Sequence, residues 1–236
     1  MIHGKHKQFQ TSTPSQITIG SSNIQISSWS KNLGVTFTDT LSLEKHINNI
    51  CRSAYAELRR IGNIRHHLTL HATKILVSAL VLSKLDYCNS LFFNIPKTLI
   101  DKLRKVQNSA ARIILQSKRR DHVTPLLEKL HWLPIPFRIQ FKIASLCFKS
   151  FTQEQFPSYL SDLLINYKPT RNLRSLNDSR KLVLPNTNLK SSGDRAFSFA
   201  APTVWNSLPF SIRHSKSLDS FQSNLKTFLF RKAYYL

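Results

Sequence analysis

From Ser42 onward the apolar residues of this chain stop alternating and fall onto a period of three to four. Leu43, Ile47, Ile50, Ala54, Leu58 and Ile61 follow that spacing, which gathers them on one stripe of an α-helix. Ser42 is a good N-cap, and Gly62 suits the helix end. The same period recurs from Thr69 to Leu85, from Pro96 to Gln116, from Thr124 to Leu130, from Pro136 to about Phe151, and around Leu218, Phe221, Leu225, Phe228 and Leu229. A chain with this pattern folds as a mainly α protein. The 69–85 segment is apolar on most sides and is expected to be central and buried. The helix after Pro136 has apolar residues on two faces, so it is expected between two neighbours.

Residues 1–40 read differently. QITIG at 16–20 and NIQIS at 23–27 alternate, and Gly20 opens a turn between them, the mark of a hairpin. A third strand is expected at 33–37. Strands this short do not make a stable sheet alone; they need a helical layer or more sheet. Residues 166–195 are rich in Asn, Ser, Arg and Lys and read as a linker or extended arm, with one strand-like run at 181–184. An aromatic run follows at 197–209, for which ordinary core packing is the expectation.

Charge decides what kind of partner such a helical protein suits. Lys and Arg number 34 against 12 Asp and Glu, a formal charge of +22. That excess repels itself, and a polyanion relieves it. Nucleic acid fits best, because each phosphate contact releases a counterion. On the first helix Lys45, Arg52 and Arg59 recur every seven residues. On the third, Lys102, Lys105 and Arg112 lie beside the apolar stripe, and Lys118, Arg119 and Arg120 follow at its end. These are the candidate backbone-binding residues.

Other chemistries find little support. The 12 carboxylates are isolated in sequence, with no Asp-Asp pair to hold two metal ions. Asp39, Asp86 and Asp101 would have to meet through the fold. His66, His67 and His71 lie near a helix start, but no ligands pair at zinc spacing, and adjacent histidines point apart on a helix. There is no nucleophile elbow and no phosphate-binding loop. No cofactor, metal or small-molecule substrate is expected. The three cysteines, Cys51, Cys88 and Cys147, are too sparse for a disulfide framework. No apolar run reaches the ~20 residues that span a bilayer, and residues 1–10 do not read as a signal peptide. The expectation is an intracellular protein, nuclear or cytoplasmic, with no membrane contact.

Several segments, taken in order, resemble one family. They are NLGVTFTD at 32–39 with LSLEKHI at 41–47; SKLDYCNSLF at 83–92; VQNSAARII at 106–114; HWLP at 131–134 with FRIQFKI at 137–143; and RAFSFAAPTVWNSLP at 195–209. Together they are similar to the C-terminal part of reverse transcriptases from non-LTR (LINE-type) retrotransposons of the Jockey and CR1 kind. In that family the catalytic Tyr-Ala-Asp-Asp-type motif precedes the Leu-Gly-Val segment, and no such motif lies in residues 1–32. The resemblance therefore implies no catalytic residues here. It implies a palm-end strand at 1–8 and a turn at Leu33, Gly34 and Val35 placed where such enzymes hold the primer end.

The resemblance implies palm-end strands, a thumb and a C-terminal extension; with the composition and periodicity above, the expected organisation is palm-end strands over 1–40, a thumb-like helical bundle over 41–120, a helical extension over 121–165, a basic linker or arm over 166–195, and an aromatic patch with an amphipathic helix over 196–236. The expected fold is then mainly α, with a short N-terminal β remnant and a mixed, partly irregular C-terminal region. The expected activity is binding to the backbone of a template–primer duplex without polymerisation. Two alternatives stay open: part of an active RNA-directed DNA polymerase whose palm is encoded upstream, and a structural or protein-interaction module derived from a retroelement.

Overall fold

The computed structural model describes residues 16–152, 156–167, 180–187 and 193–235. Two antiparallel hairpins come first. Strand β1 (Gln16–Ile19) pairs with β2 (Ser22–Gln25), and β3 (Trp29–Asn32) pairs with β4 (Val35–Thr38). They form two separate two-stranded sheets. The first hairpin is exposed on both faces, with Ile17, Ile19 and Ile24 open to solvent. The strand expected at 33–37 is the second arm of the second hairpin, with its turn at Leu33 and Gly34. Its partner β3 escapes sequence reading because Trp-Ser-Lys-Asn carries no apolar alternation. The strand expected at 1–8 lies outside the described residues.

The β3–β4 turn holds Leu33 at φ +45 and Gly34 at φ +82. A two-residue turn that matches strand twist needs positive φ at both positions. Glycine takes it freely. Leu33, with 84% of its surface exposed, is held there by a 2.6 Å hydrogen bond from the Tyr87 hydroxyl to its carbonyl. Ordinary van der Waals contact would just admit a Cβ at Gly34 against the Tyr87 ring, at 3.4 Å, so this ring lies flush against the turn.

Helix α1 (Glu44–Ile64) buries Ile47, Ile50, Ala54, Leu58 and Ile61 as its period demands. Leu43 occupies the cap position, and Ser42 contributes its Oγ as acceptor for the Glu44 N–H at 3.3 Å. Gly62 does not end the helix as expected. It is not among the glycines with positive φ, and the helix runs on to Ile64 and a 3-10 turn, Arg65–His67. Helix α2 (Leu70–Val77), a π-helical turn (Ser78–Leu82) and α3 (Ser83–Asp86) follow as one continuous rod. The expectation that this rod is central and buried is corrected for one of its faces. It buries Thr73, Val77, Val81, Leu82 and Leu85, while Leu70, Ile75 and Leu80 are exposed. It covers α1 and α4 with one face and leaves the other to solvent.

Helix α4 (Lys97–Leu115) lies against α1 and runs parallel to it. Lys102 in its first half meets Glu44 at the start of α1, and the last carbonyls of α4 meet Arg65 just past the end of α1. After α5 (Thr124–Lys129) comes α6 (Ile135–Thr152), which packs against α4 on one side and against α8 (Phe197–Asn206) and α10 (Leu218–Tyr234) on the other. The two apolar faces of α6 thus do what the sequence asks of them. Short helices α7 (Ser158–Ser161) and α9 (Phe210–Arg213) complete the α-helices of the described residues. The aromatic run at 197–209 is core. Trp205 is fully buried, with ring centroids 5.3 Å from Phe151 and 5.8 Å from Phe221, and Phe221 stacks on Phe148 at 4.3 Å.

Of the basic arm, residues 180–187 dock on α8. The Trp205 indole N–H donates to the Arg180 carbonyl, and Asn206 both accepts from the Leu182 N–H (3.1 Å) and donates to its carbonyl (2.8 Å). Leu182 also bridges Asn166 as a one-residue antiparallel pair and is buried.

Candidate nucleic-acid interface

Lys45, Arg52 and Arg59 are all exposed on α1. Seven residues advance a helix by about 10 Å, so these charges line ~21 Å of one face. Among the described residues none of the three has a carboxylate within ion-pair reach. The parallel arrangement of α1 and α4 brings Lys102 of the second cationic set alongside α1. The Lys102 ammonium bonds Asn48 Oδ1 at 2.8 Å and Glu44 Oε1 at 3.2 Å, one helical turn from Arg52 and one residue from Lys45. Lys102 is therefore partly neutralised, whereas Lys105 is exposed.

At the other end of the pair, α4 closes in a left-handed residue, Gln116 at φ +51, with the Ser117 N–H bonded to the Arg112 carbonyl at 3.1 Å. The loop that follows is folded by Asp121, whose carboxylate accepts the Lys118 N–H at 2.7 Å. That turn leaves Lys118, Arg119 and Arg120 exposed in a row. Arg112 plays a different part from the one its spacing suggests. Its guanidinium is half-buried and donates to the Asp121 carbonyl at 3.1 Å, tying the loop to the helix.

The β3–β4 hairpin sits over the start of α1. His46, buried in the interface, accepts the Thr36 N–H on Nδ1 at 3.4 Å. Burial, and then the charge of Lys31, lower its pKa below the ordinary histidine value. The neutral ring is the form that can accept this bond. The hairpin and α1 enclose two adjoining grooves, with Trp29, Lys45 and Asn49 in the wall of both. Trp29, Lys31 and Tyr87 line this region and were not singled out from the sequence. The one available signal was Leu33-Gly34 as a two-residue hairpin turn, which would have predicted β3 and placed Trp29 beside α1.

The turn residues Leu33, Gly34 and Val35 stay together at the hairpin tip, but Val35 faces inward and is buried. The carboxylates go separate ways. Asp86 pairs with Arg138 and joins α3 to α6, Asp101 pairs with Arg104 at 3.0 Å, and Asp39 accepts the Thr40 N–H at 2.8 Å. His66 and His67 do not point apart: in their 3-10 turn the ring centroids are 3.9 Å from each other. Among the described residues no group of three or more His, Cys, Asp or Glu gathers to hold a metal ion. No helix of the described residues is long and apolar enough to cross a membrane. No family model, no curated protein and no solved structure matches the chain.

Proposed function

We propose that this chain binds nucleic-acid duplexes through their phosphate backbone, as the thumb-like portion of a protein of the non-LTR reverse-transcriptase type, and does not polymerise by itself. The observation that carries the reading is the run of exposed cations on α1, Lys45, Arg52 and Arg59, none with an ion-pair partner among the described residues, together with exposed Lys105 on α4 and Lys118, Arg119 and Arg120 just beyond its end. Lysine and arginine heads held on rigid, adjacent helices suit a regular array of phosphates, which positions a protein without reading sequence. The five ordered segments of family resemblance support the same reading, since a thumb grips its duplex by the backbone.

The test is binding of the purified chain to random-sequence duplexes over a range of salt. Affinity falls steeply as salt rises, with a log–log slope of about −0.9 for each phosphate neutralised. It varies little with sequence. A flat salt response refutes the reading. Metal-dependent synthesis in a primer-extension assay would overturn its second half and favour a polymerase.

A further inference from the structure

Trp29 is the exposed aromatic residue that lines both grooves of the basic face. The Lys45 ammonium stands 3.5 Å from its ring centroid, yet the residue keeps 46% of its surface in solvent. A cation on one side of an indole is favourable by itself, so this pair is a stable, preset element. Both grooves meet at it. One runs past Asn48 towards Arg52. The other runs past Lys31 to Tyr87, a second exposed aromatic side chain. Lys31, Lys45 and Arg52 have no ion-pair partner among the described residues, whereas Lys84 in the same groove is held by Glu57 at 3.3 Å. Of the nearby carboxylates, Glu44 is occupied by Lys102 and Asp39 by the Thr40 N–H.

An aromatic platform between free cations is the arrangement that binds single strands: the charges track the backbone and the ring takes a base face. A duplex cannot use it in the same way, because each base inside a duplex already stacks on both sides. We propose that the Trp29–Lys45 pair is a stacking site for an unpaired base of a single-stranded DNA or RNA segment, whose phosphates lie towards Lys31 on one side and Arg52 on the other. This rests on the polyanion reading of the same face but assigns it a second ligand, a single strand beside the duplex.

The experiment titrates the full chain with a single-stranded oligothymidylate of roughly ten nucleotides and, separately, with a duplex. Intrinsic tryptophan fluorescence reports stacking, since Trp205 is buried and Trp132 half-buried. The single strand quenches wild-type emission. Trp29→Phe abolishes the quench while keeping most of the affinity, because a phenyl ring still stacks. Trp29→Ala weakens single-strand binding about fivefold to 100-fold and leaves duplex binding nearly unchanged. The proposal is overturned if the single strand gives no quench, if the quench survives in Trp29→Phe, or if Trp29→Ala weakens single strand and duplex alike. A quench with no duplex binding would instead sink the duplex reading and leave this one standing. Trp29→Phe keeps the test valid should Trp29→Ala disturb the hairpin.

Discussion

The Tyr87 hydroxyl donates to the Leu33 carbonyl at 2.6 Å, across 54 residues of sequence, and pins the tip of the β3–β4 hairpin to the helical layer. Removing that one oxygen tests how the hairpin is held. Tyr87→Phe loses about 1 kcal/mol, and amide exchange speeds up in β3 and β4 before it does in α1 or α4. Leu33→Asn works in the opposite direction. It relieves a left-handed leucine that buries nothing, and it raises stability by up to ~1 kcal/mol. Urea melts of the two variants should move to opposite sides of the wild type.

Arg65 gives a second, larger effect. Its Nε and Nη2 donate to the Ile113 and Ile114 carbonyls at 3.0 and 2.9 Å, and Nη1 donates to the Leu68 carbonyl at 2.8 Å. One guanidinium thus satisfies the open carbonyl end of α4 and opposes its dipole. Arg65→Ala lowers stability by about 2–3 kcal/mol. Arg65→Lys recovers only part of this, because an ammonium lacks the planar fork. Thermal melts of the two variants check the order.

Gln116 offers a stabilising change at the same helix end. Its φ of +51 is left-handed, and α4 closes through it. Gln116→Gly keeps the closing bonds, removes the steric penalty, and raises stability by about 0.5–1 kcal/mol. An unchanged or lower denaturation midpoint would contradict this reading of the cap.

Most of the helical layer could be read from the sequence because burial here follows one period. Leu43 to Ile61 and Leu99 to Ile114 each place a single apolar stripe against the other helix. The reading failed where tertiary contacts override local signals. Gly62 permits a helix end, but it keeps a helical backbone and α1 runs on to Ile64 and a 3-10 turn. Ile75 and Leu80 look like core, yet among the described residues nothing covers their face of the rod. The candidate site was half visible. The seven-residue spacing of Lys45, Arg52 and Arg59 gave their common face. Arg112 shares the spacing rule on α4, but its role as a loop tether depends on Asp121 folding back. Trp29 was missed because β3 is exposed on both faces and has no pattern to mark it.

His46 links the hairpin to pH. Its Nδ1 accepts a bond only when deprotonated, and burial with nearby Lys31 lowers its pKa from 6.5. The unfolded chain therefore takes up this proton first as pH falls. The stabilisation is complete above about pH 6.5 and is lost as pH drops through the lower folded value. Melting temperatures measured from about pH 8 down to about pH 5 should decline in this window. His46→Gln, which keeps an acceptor without titrating, should flatten the decline. An equal decline in both proteins would contradict the assignment.

The most direct test of backbone binding is the salt dependence of duplex affinity in the wild type and in a triple variant, Lys45→Ala, Arg52→Ala and Arg59→Ala. All three side chains are exposed, so the fold should survive, with Lys45→Ala giving up only its contact over the Trp29 ring. If the α1 stripe grips phosphates, the variant binds more weakly on every sequence, and its log–log salt slope is shallower by up to ~3 units. An unchanged slope would contradict the central claim and move the interface away from this face.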